Sequence, residues 1–342
     1  MEEVNVSVIG AGAWGTTIAN IISDKGNDVM LWVHSEKTLS TIIAEKENKN
    51  YLPGIKLNDN IKFNSSLEEA VRNKDLLFIS TPSRYLTELI LRLREYISEG
   101  TRIVSLVKGM TISEPQEPIL DYIFRLIDKI PKENYFVLSG PNFAFEIAKK
   151  LPAATVIAGS DEKYLSFLQS FLSTEYFRVY TNTDYVGVQL GGALKNIIAI
   201  AAGICDGFGL GSNTKSSLIV RGINEMKSIF IQMGGRIDTL YGLSGLGDLI
   251  GTCTSDLSRN RWAGIQIAQG IDVRKINESG EKTIEGISTL PAIINIADKL
   301  GLELPICRDK HQTHRSINEQ CLNTSDFSSC WNIQISPIPN ND

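Results

Sequence analysis

Two short stretches of this chain have the residue types and spacing to bind phosphate groups. The first is GAGAWG at Gly10–Gly15, a full G-x-G-x-x-G match that follows the β-branched run Val4–Ile9. In this pattern Gly10 permits a tight turn, Gly12 lets backbone approach a pyrophosphate, and Gly15 lets helix and strand pack closely. The motif therefore predicts a dinucleotide site, and the alternative is a tight turn without a ligand.

The second stretch is SRNR, in which Ser258, Arg259 and Asn260 stand at the N-terminus of a predicted helix. Serine, arginine and asparagine at a helix N-terminus suit an anion, above all a phosphate, because backbone N–H groups and a guanidinium converge there. The alternative is an ordinary serine cap with surface arginines.

Two charged residues stand in apolar surroundings. Lys195 lies inside QLGGALKNIIAIAAG, and Asp248 lies inside the Gly-rich segment GLSGLGDLIGTC. A buried lysine is costly unless it has a partner or a task, although its ammonium can also reach the surface along the aliphatic stem. Both residues are therefore candidates for a functional site.

Three further motifs follow predicted strands: STPSRY at 80–85, VKGM at 107–110 and SGPNFAFE at 139–146. The carboxyl ends of parallel strands meet at one edge of a sheet, where open α/β sheets bind ligands. Lys108 and Pro141 are therefore expected near the dinucleotide. A solvated surface lysine is the alternative for Lys108.

The end of the second predicted strand, LWVHSEK, bears on the choice of cofactor. An NAD-specific site usually carries Asp or Glu there, to hold the ribose hydroxyls. This chain has Val33, His34 and Ser35 instead. His34, Ser35 or Lys37 could contact a 2′-phosphate or the ribose, although His34 could also be a solvent-facing loop residue. Both NAD and NADP are thus expected to bind.

The elements that must position these residues change type along the chain. Buried strands are predicted over 4–9, 28–33, 76–80, 102–106, 135–139, 154–158 and 177–180. Helices are predicted over 16–25, 86–96, 119–129, 163–172, 184–205, 214–233, 259–269 and 285–300. Alternating strands and helices indicate an α/β fold with a parallel, doubly wound sheet. We therefore expect a Rossmann-type dinucleotide-binding domain over 1–183 and an all-α substrate domain over 184–306.

Composition excludes several classes of protein. The 342 residues carry a net charge of −5, and the hydrophobic fraction of 42% is ordinary for a globular protein. Without a basic excess, nucleic acid and anionic membranes are not expected partners. The acidic N-terminus does not resemble an export signal, and the longest apolar run is too short for a membrane span. Five cysteines without a CxxC pair fit a reducing cytoplasm.

The last segment, 307–342, is polar and has no amphipathic period, so we expect it to be poorly ordered and dispensable for chemistry. It contains two histidines and three cysteines: His311, His314, Cys307, Cys321 and Cys330. A zinc site is an alternative there, but no tight pairing supports it, and no metal is expected. The Gly-rich segment GFGLGSNTKS at 207–216 lacks the spacing of a P-loop.

Taken together, these motifs resemble the NAD(P)-dependent glycerol-3-phosphate dehydrogenases of the bacterial type. The resemblance extends over residues 4–306, roughly nine-tenths of the chain. It is carried by GAGAWGTTIA, LLFISTPS, SLVKGM, SGPNFAFEIA, LGGALKNIIAIAAGICDGFGLGSNTKSSLI and GLSGLGDLIGTCTSDLSRNR. It implies interconversion of dihydroxyacetone phosphate and sn-glycerol 3-phosphate with NAD or NADP, supply of glycerophospholipid synthesis, a cytoplasmic location and a homodimer.

The resemblance also implies roles for individual residues. The residues that would line the cofactor are Gly10, Gly12, Ala13, Trp14, Gly15, His34, Lys108, Ala144, Arg259, Ile284 and Glu285. Those that would touch substrate are Lys108, Gly140, Asn142, Lys195, Asp248, Ser258, Arg259 and Asn260. The family commonly has Thr or Ser where Asn142 stands.

The implied chemistry assigns catalysis to Lys195 and Asp248. Hydride arriving at the substrate carbonyl leaves charge on its oxygen, where the Lys195 ammonium would stabilise the charge and supply the proton. A positive charge at Lys108 would lower the pKa of Lys195, and Asp248 would orient the ammonium.

Two rival functions remain open from the sequence. One is a dehydrogenase of similar layout that acts on a β-hydroxy acid or ketopantoate, against which the SRNR cluster argues. The other is a nucleotide-binding protein without activity, against which Lys195 and Asp248 argue.

Overall fold

The computed structural model describes residues 4–111, 114–272 and 284–308. The first half is built on one sheet of eight strands, which neighbour one another in the order β3-β2-β1-β4-β5-β6-β7-β8. The strands are β1 (Val6–Ile9), β2 (Val29–Trp32), β3 (Ile61–Asn64), β4 (Leu76–Ile79), β5 (Arg102–Ser105), β6 (Tyr135–Ser139), β7 (Ala153–Ala158) and β8 (Phe177–Asn182).

The predicted strands are confirmed, each within two residues at either end. The edge strand β3 escaped prediction because it has four residues and only Ile61 is buried. The sheet is parallel except between β6 and β7, which pair antiparallel. The predicted parallel sheet is confirmed for the other pairs and corrected for this one. The β6–β7 connection holds only a five-residue helix, whose first residue contacts the helix after β1.

In the described part of the chain, seven α-helices accompany the sheet: α1 (Ala13–Asp24), α2 (Glu36–Glu45), α3 (Leu67–Val71), α4 (Leu86–Leu93), α5 (Ile119–Leu126), α6 (Ala144–Ala148) and α7 (Glu162–Leu172). The predicted ones end within three residues of their observed bounds. Helix α2 was missed because Ile42 is its one buried residue, so its apolar stripe is weak.

Each face of the sheet is covered by its own apolar core. One core contains Val8, Leu31 and Phe78, and the other contains Ile9, Leu77 and Ile79. Because successive strand residues point to opposite faces, strands buried on both sides must be apolar throughout. This explains why they could be read from the sequence as uninterrupted apolar runs.

The second half of the described chain is helical. Its helices are α8 (Tyr185–Gly207), α9 (Gly211–Gln232), α10 (Ile237–Leu240), α11 (Asp248–Thr254), α12 (Arg259–Ala268) and α13 (Glu285–Leu300), with a π-helical turn at Leu243–Gly247. The sheet ends at Asn182 and α8 begins at Tyr185, which is where the sequence pattern changes from alternating strands and helices to helices alone.

Helix α8 is the core of the helical half. Among the described residues it is the one helix long and apolar enough to cross a membrane, but 94% of its most apolar window is buried inside the protein. Glycines let its neighbours approach closely: a Cβ on Gly203 would lie 2.0 Å from Arg261 O, and one on Gly264 would lie 2.0 Å from Ile200 O. Helix α12 therefore packs backbone to backbone on α8.

The described chain ends in a helical turn over 305–308. The N–H groups of Ile306 and Cys307 donate to the buried Glu225 carboxylate at 2.6 and 3.2 Å. Cys307 and Arg308, expected in the polar tail, thus belong to this anchored turn, and a chain cut after Ile306 would lose one of the two donors. Residues 309–342, with His311, His314, Cys321 and Cys330, lie outside the described residues.

Candidate functional site

Two lysines share the carboxylate of Asp248. Lys195 Nζ donates to Asp248 Oδ1 at 2.6 Å, and Lys108 Nζ donates to Asp248 Oδ2 at 2.7 Å. Lys108 Nζ also donates to the carbonyl oxygen of Gly140 at 3.0 Å. The structure therefore brings four predicted residues into one hydrogen-bonded set. We call Lys108, Lys195 and Asp248 the lysine–aspartate centre.

Burial sets the electrostatics of this centre. Lys195 is 6% exposed and Asp248 is 2% exposed. Burial lowers the pKa of Lys195, the Asp248 carboxylate raises it, and the charge of Lys108 lowers it; the net result is a pKa of about 8. Burial would raise the pKa of Asp248, but the two ammonium groups outweigh it and hold that pKa below its ordinary value. Lys195 is thus suited to exchange a proton near neutral pH beside a permanent carboxylate.

Thr252 is a member of this site that the sequence reasoning missed. Its Oγ1 accepts a hydrogen bond from Lys195 Nζ at 2.6 Å and donates to the backbone oxygen of Asp248 at 2.6 Å. The available signal was its spacing, because residues four apart lie on the same face of a helix. Together, Thr252 and Asp248 fix the direction of the Lys195 ammonium.

Local backbone features bring the three segments together. Lys108 follows β5, Lys195 lies in the middle of α8, and Asp248 begins α11 directly after the π-helical turn. Gly192 makes room for the Lys108 side chain, because a Cβ on Gly192 would lie 2.8 Å from Ser139 Oγ and 3.3 Å from Lys108 Cγ. The small residues of LGGALKN are therefore a packing requirement of the site.

The glycine turn, Gly10–Gly15, has the shape that dinucleotide binding requires. Gly10 has φ +119°, and a Cβ on Gly15 would lie 2.0 Å from Gly10 O. Gly12 directly precedes α1. A Cβ on Gly12, unlike one on Gly10 or Gly15, would meet no atom within 4 Å. Open space thus remains beside Gly12, at the start of α1, where the motif predicts a pyrophosphate.

The neighbours of this turn divide into packed and exposed groups. The Trp14 ring packs edge-on against Phe177, with 6.2 Å between ring centroids. Ala13 and Ala144 accept from the Thr17 hydroxyl through their backbone oxygens at 2.9 and 3.2 Å, so α6 lies beside α1. His34 is exposed after β2, its ring centroid 5.5 Å from that of Trp32.

The end of β2 carries no acidic side chain that could reject a 2′-phosphate. Ser35 Oγ accepts the N–H of Thr38 and so caps α2. His34 and Ser35 are both exposed, but only the His34 side chain takes no part in the cap. His34 therefore remains the candidate for contact with the adenosine ribose.

Asn142 is held in one orientation by Thr155. Thr155 Oγ1 donates to Ser139 O at 3.1 Å, so it accepts from Asn142 Nδ2 at 2.9 Å. The amide oxygen of Asn142 is buried and has no hydrogen-bond partner. A buried acceptor of this kind is costly unless a donor reaches it, which supports a ligand contact at this position.

The SRNR segment forms the first turn of α12. Ser258 Oγ accepts the N–H of Arg261 at 3.2 Å, so it caps the helix as the alternative interpretation anticipated. Asn260 donates to Asn196 Oδ1 at 2.8 Å and accepts the N–H of Gly286 at 3.0 Å. Arg259 is exposed, with its guanidinium available to an anion.

The beginning of α13 meets the sheet edge at Glu285. Glu285 Oε2 accepts from Ser83 Oγ at 2.7 Å, which links α13 to the loop after β4. Burial raises the pKa of Glu285, against the opposing effects of Ser83 and Arg259. Ile284 is fully buried and lies in an apolar cluster with Ile200, so the structure shows no exposed part of this residue for a nucleotide to contact.

Within the described residues, no group of three or more His, Cys, Asp or Glu side chains could hold a metal ion. Of the predicted site residues, Lys108, Gly140, Lys195 and Asp248 are joined directly. Asn260 is joined to the start of α13 through Gly286. The glycine turn and His34 form a separate region along the carboxyl edge of β1 and β2.

Two family models match this chain, one for the sheet-containing half and one for the helical half. Residues 5–165 match the model of the NAD-dependent glycerol-3-phosphate dehydrogenase N-terminus, and residues 184–319 match that of the C-terminus. Glycerol-3-phosphate dehydrogenase [NAD(P)+] of Citrifermentans bemidjiense is 42% identical over 316 residues, which are 90% of this chain and 91% of the relative.

Solved structures of glycerol-3-phosphate dehydrogenases resemble this chain as well. Glycerol-3-phosphate dehydrogenase from Coxiella burnetii superposes with a TM-score of 0.86 at 34% identity, covering 91% of this chain and 94% of that one. A ketopantoate reductase from Ralstonia eutropha, at 14% identity and a TM-score of 0.58 over 91% of this chain and 97% of that one, shares the fold alone. The chain belongs to the NAD-dependent glycerol-3-phosphate dehydrogenase family.

Proposed function

We propose that this chain is an NAD(P)-dependent glycerol-3-phosphate dehydrogenase that interconverts dihydroxyacetone phosphate and sn-glycerol 3-phosphate. The observation that carries the proposal is the buried Lys195 ammonium, held by Asp248 and Thr252 beside the carboxyl edge of a dinucleotide-binding sheet. A proton donor in that place is what reduction of a ketone requires.

The glycine turn and the start of α1 would hold the pyrophosphate of NAD or NADP, which supplies or accepts the hydride when bound. Gly12 leaves the space at the start of α1, and the unpaired N–H groups of a helix N-terminus favour an anion there. The loop residues Lys108 and Gly140 extend from the same sheet edge toward the helical half. They would bring substrate to the strand ends where a nicotinamide ring binds in such folds.

Lys195 would act as the general acid at the substrate carbonyl oxygen. Its ammonium stabilises the negative charge that develops there and transfers its proton to that oxygen. Asp248 stays charged and keeps the nitrogen oriented, and Lys108 disfavours return of the proton to Lys195. In the reverse direction the neutral lysine accepts the hydroxyl proton.

The phosphate of the substrate would bind at the first turn of α12. Arg259 supplies a planar guanidinium, which suits phosphate oxygens, and the helix N-terminus supplies N–H donors. Ser258 and Asn260 shape this turn by capping it and tying it to α8 and α13. This site favours a phosphorylated substrate over the ketopantoate class.

The finer assignments are part of the same proposal. The protein works in the cytoplasm as a homodimer and supplies glycerol phosphate for glycerophospholipid synthesis, as the resemblance implies. Val220 and Ile231 are exposed apolar side chains about three turns apart on the same face of α9, and they support a self-associating surface there. Light scattering after size exclusion tests the dimer.

The test of function is oxidation of NADH and NADPH by the purified protein with dihydroxyacetone phosphate and with unphosphorylated dihydroxyacetone. We expect turnover with the first compound and a strong preference for it. The Arg259→Ala variant should lose most of that preference. NADH binding without turnover would instead favour the inactive nucleotide-binding protein, and full preference in the variant would move the phosphate site elsewhere.

A further inference from the structure

Asp206, the penultimate residue of α8, joins three helices through its two carboxylate oxygens. Lys215, near the start of α9, donates to Oδ1 at 2.8 Å, and Arg261 Nε of α12 donates to Oδ2 at 2.5 Å. The exposed side-chain fractions are 19% for Asp206, 20% for Lys215 and 15% for Arg261. Burial would raise the pKa of Asp206, but the two cations hold it below its ordinary value. The carboxylate is therefore charged at neutral pH.

Arg261 lies in the turn that would bind phosphate. It directly follows Asn260, and its N–H donates to the Ser258 cap. Its carbonyl oxygen packs against α8 at Gly203, where a Cβ would approach to 2.0 Å. Residue 261 is thus held against α8 by its backbone and, about one turn further along α8, by the bond from its side chain to Asp206.

A second carboxylate on the same guanidinium provides the contrast. Arg261 Nη1 donates to Asp256 Oδ1 at 2.6 Å, but the Asp256 side chain is 96% exposed. Ion pairs in full contact with water contribute little, whereas partly buried and hydrogen-bonded pairs contribute more. Of the two partners of Arg261, Asp206 is the one able to fix its position.

We propose that Asp206 is a positioning residue for the substrate phosphate: by holding Arg261 it fixes the first turn of α12, with Arg259 and Asn260, in the orientation that binds the phosphate. Lys215 holds the other carboxylate oxygen and prevents the carboxylate from rotating away. This assigns a role to the Gly-rich segment 207–216, which has no P-loop spacing. The inference rests on the proposed function, because it assumes that α12 binds the substrate phosphate.

The Asp206→Asn variant tests this role, because asparagine keeps the size and removes the charge. The KM for dihydroxyacetone phosphate should rise at least about tenfold, since small displacements of a binding group have large effects, while kcat stays within about threefold. The preference for dihydroxyacetone phosphate over dihydroxyacetone should fall by the same factor, and the dissociation constant of NADH should rise by less, because Arg259 is the one residue of this turn expected to reach the cofactor. A merely structural role would instead lower the melting temperature and reduce both activities in proportion.

Asp256→Asn is the matched control, and its KM should stay within about twofold of wild type because that ion pair is exposed. If Asp206→Asn does not fold, Lys215→Met decides, with an expected rise in KM of about threefold and a fall in substrate preference. An unchanged preference in the folded variant, while the wild type reduces dihydroxyacetone phosphate, overturns the positioning role alone. A wild type without that activity overturns the proposed function as well.

Discussion

At the glycine turn, three glycines within six residues shape a backbone, whereas at the lysine–aspartate centre three charged side chains come from distant parts of the chain. The turn depends on the absence of side chains at its glycines: Gly12 leaves space, and Gly10 adopts a positive φ. The centre acts by what it contains, since Asp248 holds one lysine that is 53 residues away and another that is 140 residues away.

The difference concerns how each region meets its ligand. The turn presents backbone N–H groups, which need the right backbone shape and a close approach of the ligand at Gly12. The centre presents charges in a buried place, where each pKa depends on the neighbouring charges. Changes at the turn should therefore affect binding or folding, and changes at the centre should affect turnover and its pH dependence.

The largest effect is expected at Lys195. Lys195→Met removes the proton donor and keeps the approximate length, so turnover should fall at least about 100-fold, the low end for general acid–base catalysis. NADH affinity, measured by fluorescence titration, should remain near wild type because the turn is untouched. Lys227→Met, an exposed lysine on α9, is the control. A variant of Lys195 within a few-fold of wild type would refute its role as the acid.

Two alanine substitutions separate the roles within the turn. Gly15→Ala would place a Cβ 2.0 Å from Gly10 O, and we expect it to lower the free energy of unfolding by about 1–3 kcal/mol. Gly12→Ala meets no atom within 4 Å, so stability should change by less than about 1 kcal/mol. Its NADH dissociation constant should rise at least about tenfold, because the methyl group enters the phosphate space. Urea unfolding and fluorescence titration measure the two quantities, and equal losses of stability would contradict the distinction.

The pH profile tests the coupling of the two lysines. Reduction needs the charged form of Lys195, so kcat should be full below the Lys195 pKa of about 8 and decline as the pH rises through it. Burial is the largest cause of this low pKa, and the charge of Lys108 adds to it. Lys108→Met should therefore move the alkaline limb to higher pH, whatever it does to KM. A limb that stays in place or moves down would show that the two charges are not coupled.

The smallest effect is expected at His34, which follows β2 next to the glycine turn. Both NADH and NADPH should be oxidised, because no acid ends β2. His34→Asp should shift the ratio of kcat/KM values toward NADH by about tenfold, since a carboxylate there binds ribose hydroxyls and repels a 2′-phosphate. Strict use of NADH by the wild type would show that another group rejects the phosphate.

Local signals explain which elements could be predicted. The strands buried on both faces appear as uninterrupted apolar runs, and α8 as a long apolar segment. Helix α2 and strand β3 bury too little to leave such a pattern. The antiparallel pairing of β7 also escaped, because strand direction depends on the path of the connection rather than on the composition of the strand.

By itself the sequence determined the glycine turn, the change from strands to helices near 184 and the candidate residues, since each depends on neighbours within a few positions. Only the tertiary structure decided that Thr252 accepts from Lys195 and that Asp206 reaches both Lys215 and Arg261. Hydrogen bonds between distant segments depend on how closely the helices pack, and that distance is set by small residues such as Gly192 and Gly203, whose neighbours across the interface no local pattern identifies.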